Sequence, residues 1–149
     1  TLLDTILRSQ SCIDVVEEKP LIYSLEKIIK TKLDLNLNQI YQIKEKDLNY
    51  LRGHYMDLIL KEKDPNKEAS VLVDKFPFQT VCLPLINLLF PDAKIIFAHR
   101  NPYDTVLSCF QQTFEPNNAM ANFTTIKKSA QIYDLTMKMW INYQKNLKI

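Results

Sequence analysis

At 149 residues, 46% hydrophobic and 24% charged, the chain has the make-up and length of one globular domain, which excludes a disordered tail or a linker. A formal net charge of only +2, with both signs spread along the sequence, excludes the broad basic stripe of a nucleic-acid binder and makes any anion site local. Three scattered cysteines, Cys12, Cys82 and Cys109, form neither a disulfide framework nor a metal-ligand cluster, and the single glycine, Gly53, leaves no glycine-rich phosphate loop within these residues.

In chain order, Leu2, Leu3, Ile6 and Leu7 fall at helical spacing, so the chain opens in a helix already under way. Ser9 to Asp14 has the composition of a turn. Val15 to Pro20 reads as a short extended piece, because a proline biases its predecessor away from the helical region. Leu21, Leu25, Ile28 and Ile29 mark a second helix, and Leu48, Leu51, Tyr55, Leu58 and Ile59 share one face of a third. The polar stretch from Lys61 to Ser70 contains Pro65 and is expected to be a surface loop. Val71-Leu72-Val73 then suits a strand covered on both faces, and a helix from about Gln79 to Phe90 should kink or break at Pro84.

Lys94-Ile95-Ile96-Phe97-Ala98 reads as a second buried strand that ends at His99-Arg100. Asn101, Pro102 and Asp104 follow as N-cap, first helical residue and first-turn acid of a new helix. A long amphipathic helix carries Ile126, Ala130, Tyr133, Met137, Trp140 and Ile141. Its aromatic residues, with Tyr143, are best explained as a packing face. Strand, helix, strand, helix in this order predicts parallel strands joined by crossovers, an α/β fold, although two strands are too few to cover so many helices. The longest apolar run, Val81 to Phe90, is far short of the roughly 18 residues a membrane span needs, and the cytoplasm is the expected compartment. Since Thr1 is not an initiator methionine and stands in a helix, a signal or anchor upstream stays open.

The stretch from Arg100 to Ser108 carries the clearest chemistry. In open α/β sheets ligands bind beyond the carboxyl ends of strands, where this reading places Arg100. The free N–H groups and dipole of the following helix N-terminus attract anions, and Ser108 returns to the same face about two turns later. A guanidinium fork at that face suits a phosphate. The alternative is that Arg100 pairs with a surface carboxylate and Ser108 packs between helices.

From Phe90-Pro91-Asp92-Ala93-Lys94 through His99-Arg100-Asn101-Pro102 to Ser108, the sequence resembles the 3'-phosphate-binding region of sulfotransferases that use 3'-phosphoadenosine 5'-phosphosulfate (PAPS), especially bacterial proteins related to the protein-tyrosine sulfotransferases. In that family an arginine after a strand and a serine eight residues later bind the 3'-phosphate, positions that fall on Arg100 and Ser108. Thr1 to Leu7 resembles the helix after the family's phosphosulfate loop, usually Pro-Arg-Ser-Gly-Thr-Thr, with Thr1 as its last threonine. Val16-Glu17-Glu18 resembles the acidic stretch whose second glutamate is the catalytic base, which implies Glu18, with a register slip to Glu17 open. Val73-Asp74-Lys75-Phe76-Pro77-Phe78 resembles the motif whose lysine faces the sulfuryl group and its leaving phosphate, which implies Lys75. The likeness is strong from Val71 to Cys109, weaker from Thr1 to Pro20, and elsewhere is only helical character.

The resemblance implies a P-loop-like, three-layer α/β/α parallel sheet, incomplete and helix-rich, with residues 1–149 a single partial domain lacking the N-terminal strand with its phosphosulfate loop and the C-terminal part. It implies sulfuryl transfer from PAPS to an acceptor hydroxyl of a tyrosine, a sugar or a small molecule, with no metal, and an inactive fragment when these residues stand alone. His54, in a helix without an accompanying motif, and His99, expected on the opposite side of its strand from Arg100, are weaker candidates for the base. Two other classes compete: a P-loop nucleotide kinase, which needs a Lys-Ser or Lys-Thr loop end and a magnesium-binding acid, and a non-catalytic helical interaction module, which needs no anion at Arg100.

Overall fold

Described over residues 2–112 and 120–148 by a computed structural model, the chain falls into two units, Thr1–Pro91 and Asp92–Ile149. The first is built from helix α1 (Leu2–Arg8), strand β1 (Ile13–Glu17), helices α2 (Leu21–Lys32) and α3 (Glu45–Glu62), strand β2 (Val71–Lys75) and helix α4 (Leu83–Leu89). Short 3-10 turns occupy Leu37–Gln42 and Gln79–Cys82. The two strands run parallel, in a register that sets Ile13 against Val71 and Glu17 against Lys75. Parallel strands need a long crossover, and α2 and α3 supply it. The chain is therefore α/β and helix-rich, with a small two-stranded parallel sheet among the described residues.

Apolar spacing explains why these helices pack. Ile22, Leu25 and Ile29 of α2 join Leu48 and Leu51 of α3, and Leu85 and Leu89 of α4, in one buried cluster. A second cluster beneath the sheet joins Val16 to Leu21 and Ile59, with Tyr55, Leu58 and Leu72 packed against it. Each fully buried leucine of this kind contributes about 1.5–3 kcal/mol. Pro84 acts as its chemistry requires: the chain forms a 3-10 turn up to Cys82, and the α-helix starts afresh with proline in its first turn, where a missing N–H costs nothing. The carbonyls at the end of α4 have no helical partner, and Arg52 of α3 supplies one, donating from Nε to the Leu89 oxygen at 2.6 Å while Nη1 bonds Glu45 at 2.7 Å.

The second unit holds helices α5 (Pro102–Gln111) and α6 (Ile126–Asn146), with a 3-10 turn at Met120–Phe123. The strand expected at Lys94 to Ala98 is not formed. These residues lie in no ladder and no helix, with Ile95 and Phe97 half-buried and Ile96 63% exposed. Alternation and β-branched composition favour an extended backbone, but a strand exists only with a hydrogen-bonded neighbour, and none is present for this segment among the described residues. Its side chains pack on α6 instead, Phe97 stacking on Trp140 with ring centroids 4.2 Å apart and planes 9° off parallel. The aromatic face expected on the last helix is thus a packing face. No helix among the described residues is long and apolar enough to cross a membrane.

Candidate active site

Two residues singled out in the sequence, Glu18 and Lys75, meet at the carboxyl ends of the paired strands. The register places Glu17 directly across from Lys75, so their side chains leave the sheet on the same side. Lys75 Nζ lies 2.8 Å from Glu17 Oε1, 2.8 Å from Glu18 Oε1 and 3.5 Å from Asp4 Oδ2. Arg8 Nη2 reaches the other Glu17 oxygen, Oε2, at 3.2 Å. Asp4 is 4% exposed and stands one helical turn before Arg8 on α1, so both face β1 from the same side of that helix.

Glu18 also marks where the backbone leaves the sheet. Its N–H still bonds the Lys75 carbonyl at 2.8 Å, yet its φ of 55° is left-handed, an uncommon conformation for a residue with a long side chain. Such backbone costs about 1–3 kcal/mol and is concentrated at functional sites. It turns Glu18 out toward solvent, its side chain 59% exposed, while Lys75 keeps only 23%.

The charges around Lys75 act on both partners. The hydrogen bond and charge of Lys75 hold the Glu17 carboxyl below the usual carboxylate range. Burial pulls the Lys75 ammonium toward its neutral form, but hydrogen bonds to Glu17 and Glu18 and the charge of Asp4 outweigh it and raise its pKa. Glu17 therefore has both oxygens engaged by cations, whereas Glu18 shares one with Lys75. A proton acceptor needs a free lone pair, and of the two carboxylates Glu18 is the one less engaged by cations.

Asp74, one residue before Lys75, points to the opposite face. Its Oδ2 accepts from the Tyr55 hydroxyl at 3.0 Å and from Gln79 Nε2 at 2.8 Å, while Oδ1 is buried without a partner. Burial raises its pKa, and the bonds from Gln79 and Tyr55 offset only part of that.

In the second unit, the predicted helix start is present. Asn101 caps α5, its side chain accepting from the Tyr103 N–H at 2.9 Å, with Pro102 in the first turn and Asp104 after it. Arg100 and Ser108 are both exposed, and neither has an ion pair or side-chain hydrogen bond among the described residues. Among the described residues no carboxylate pairs with Arg100, and Ser108 is exposed on α5. The guanidinium lies near enough to α5 to act on Cys109, its charge opposing the burial that pushes that thiol up. His99 faces α6, its Nε2 3.5 Å from the Tyr133 hydroxyl. With Ile95, Phe97, Met137, Trp140 and others it lines an open groove of about 410 Å³. Thr1 lies outside the described residues.

One family's sequence model, described as the Sulfotransferase family, matches residues 1–148. The chain belongs to the sulfotransferase family. It is also similar to an uncharacterized protein of Aquifex aeolicus (strain VF5), 28% identical over 130 residues that cover 83% of this chain and 17% of that protein. No solved structure matches it.

For this sulfotransferase-family chain, the sequence motifs mark Glu18, Lys75, Arg100 and Ser108, with Glu17 as the alternative to Glu18, and do not mark Asp4 or Arg8. The signal for Asp4 and Arg8 was available as an opposite-charge pair four residues apart on one helix. What that pair faces is decided by β1 folding back beside α1.

Proposed function

We propose that this chain contributes to the transfer of a sulfuryl group from PAPS to an acceptor hydroxyl, with Glu18 as base and Lys75 at the leaving phosphate. The observation that carries this reading is the Lys75 ammonium, 2.8 Å from Glu18 at the carboxyl ends of two parallel strands. Ligands of open α/β sheets gather at such strand ends, and membership in the family favours sulfuryl transfer over a nucleotide kinase or an interaction module. The acceptor oxygen bonds to sulfur as the bond from sulfur to the 5'-phosphate oxygen breaks. The acceptor's proton passes to Glu18, and 3'-phosphoadenosine 5'-phosphate leaves with the bonding pair. Charge gathers on that leaving phosphate, so a cation held beside it lowers the barrier. No metal is needed for this step.

Arg100 and Ser108 are assigned to the 3'-phosphate. An exposed guanidinium with no ion pair among the described residues, at a capped helix N-terminus with a hydroxyl about two turns along, supports the assignment. In this reading Thr1 ends a phosphosulfate loop contributed by preceding sequence, and the complete fold is a P-loop-like three-layer sheet. Upstream residues reading Pro-Arg-Ser-Gly-Thr fit it, whereas Gly-Lys-Ser does not.

The direct test is calorimetric titration of the full-length protein with 3'-phosphoadenosine 5'-phosphate. Since a hydrogen bond to a charged group contributes about 1.5–3 kcal/mol, Arg100→Ala is expected to weaken binding about 10- to 150-fold. An unchanged affinity removes Arg100 from the site.

A further inference from the structure

An ammonium has three donors on a flexible stem, and around Lys75 there are three carboxylates to receive them: Glu17, Glu18 and Asp4. If Glu18 takes a proton from the acceptor and Lys75 turns a donor toward the leaving phosphate, something else must hold the ammonium in place. Glu17 is suited to this. It stands opposite Lys75 on the ladder, it gives one oxygen to Lys75, and its second oxygen is held by Arg8. Both of its ends are thus fixed, one by backbone pairing and one by two cations. Asp4, buried against β1, adds a third support from below.

We propose that Glu17 is the positioning residue for Lys75, its Oε1 holding the ammonium at the strand end while Arg8 holds its Oε2, so that Glu18 keeps an oxygen for the acceptor's proton. This rests on the sulfuryl-transfer reading and adds to it a division of labour between adjacent glutamates. Glu17 touches neither acceptor nor donor. It acts through Lys75, so its removal lowers kcat and leaves the KM for PAPS nearly unchanged.

The experiment follows release of 3'-phosphoadenosine 5'-phosphate from PAPS by the full-length protein, with phenol and N-acetylglucosamine as acceptor probes. Glu17→Gln is expected to lower kcat about tenfold in the parent and to have no further effect in a Lys75→Ala background, since residues acting as one unit are not additive. The acidic limb of the kcat profile should persist in Glu17→Gln and disappear in Glu18→Gln. Arg8→Ala, which frees Glu17 Oε2, should give a smaller loss of the same non-additive kind and carries the test should Glu17→Gln fail to fold. Loss of the acidic limb in Glu17→Gln, an equal fold-loss with and without Lys75, or no loss at all overturns the proposal while leaving the sulfuryl-transfer reading in place. If the unsubstituted protein releases no nucleotide with either probe, or if Lys75→Ala changes nothing, the reading itself fails and the proposal falls with it.

Discussion

The strand ends of the first unit and the stretch from Lys94 to Ser108 in the second are opposite kinds of site. At the ends of β1 and β2, four charged groups from α1, β1 and β2, joined by Glu18 just past its strand, come within hydrogen-bond or ion-pair reach of one another. Lys75 is far in sequence from the other members, and pairing of the strands brings it among them. In the second unit the residues proposed for the 3'-phosphate are close in sequence: arginine, capping asparagine, proline, helix and serine. There local rules are enough to build the helix start, although the strand expected before it is not formed. A constellation made by long-range pairing should respond to substitution as a coupled network, and one made by local sequence should respond residue by residue.

Several substitutions sharpen or break that contrast. The largest effect is expected from Glu18→Gln, which keeps the shape and the Lys75 contact but removes the basic oxygen. General-base loss should lower kcat about 10²- to 10⁴-fold in single-turnover sulfuryl transfer, and a change below threefold would exclude Glu18 as base. Next comes the loss of nucleotide affinity in Arg100→Ala; if the second unit's site is local, this loss should be unaltered by Glu17→Gln, as separate sites add. The roughly tenfold effect of Glu17→Gln on kcat, cancelled by Lys75→Ala, is the opposite signature.

A smaller effect should appear in stability against pH. Glu17 has its folded pKa below the ordinary 4.5, so its contribution is complete above pH 4.5 and lost as pH falls through the folded value. Lys75 has its folded pKa above 10.5, so its contribution is complete below pH 10.5 and lost as pH rises through the folded value. Thermal melts of parent and Glu17→Gln should therefore differ most between these limits and converge in acid. A difference that stays constant down to pH 2 would mean that charge is not what joins Glu17 to Lys75.

The smallest effect is predicted at Asp74, where the sign is reversed. Its folded pKa is raised above 3.8 by burial, so ionisation opposes folding, absent in acid and complete once pH exceeds the folded value. Asp74→Asn should stabilise the protein at pH 7 by about 1 kcal/mol or less, because an unpartnered buried oxygen no longer carries charge. That corresponds to a rise in Tm of at most about 2–4 °C, and a fall would show that the bonds from Tyr55 and Gln79 need the full carboxylate.

Legibility followed the range of the interaction. The faces of α2 and α3, the break at Pro84 and the Asn101 cap were readable because they depend on residues within one or two turns. Of the extended piece read from Val15 to Pro20, Val15–Glu17 lie in β1, which starts earlier, at Ile13 within the expected turn; its pairing with Val71–Lys75 was not legible, since parallel pairing joins segments separated by two helices. Lys94 to Ala98 failed for the same reason in reverse: the composition suits a strand, and the partner is a property of the fold. Glu18 and Lys75 came from motif likeness, whereas Asp4, Arg8 and the role of Glu17 emerged only from contact.

By itself, then, the amino-acid order determined the helices, their apolar faces, the capped start of α5 and the membership in the sulfotransferase family, because backbone propensity, periodicity and motif spacing act over short distances. Tertiary structure alone decided that Glu17 stands across from Lys75, that Arg8 and Asp4 close on the same ammonium, and that Phe97 stacks on Trp140 instead of entering a ladder. Electrostatic and hydrogen-bonding partners are chosen by proximity in space, and proximity between distant segments exists only once the chain has folded.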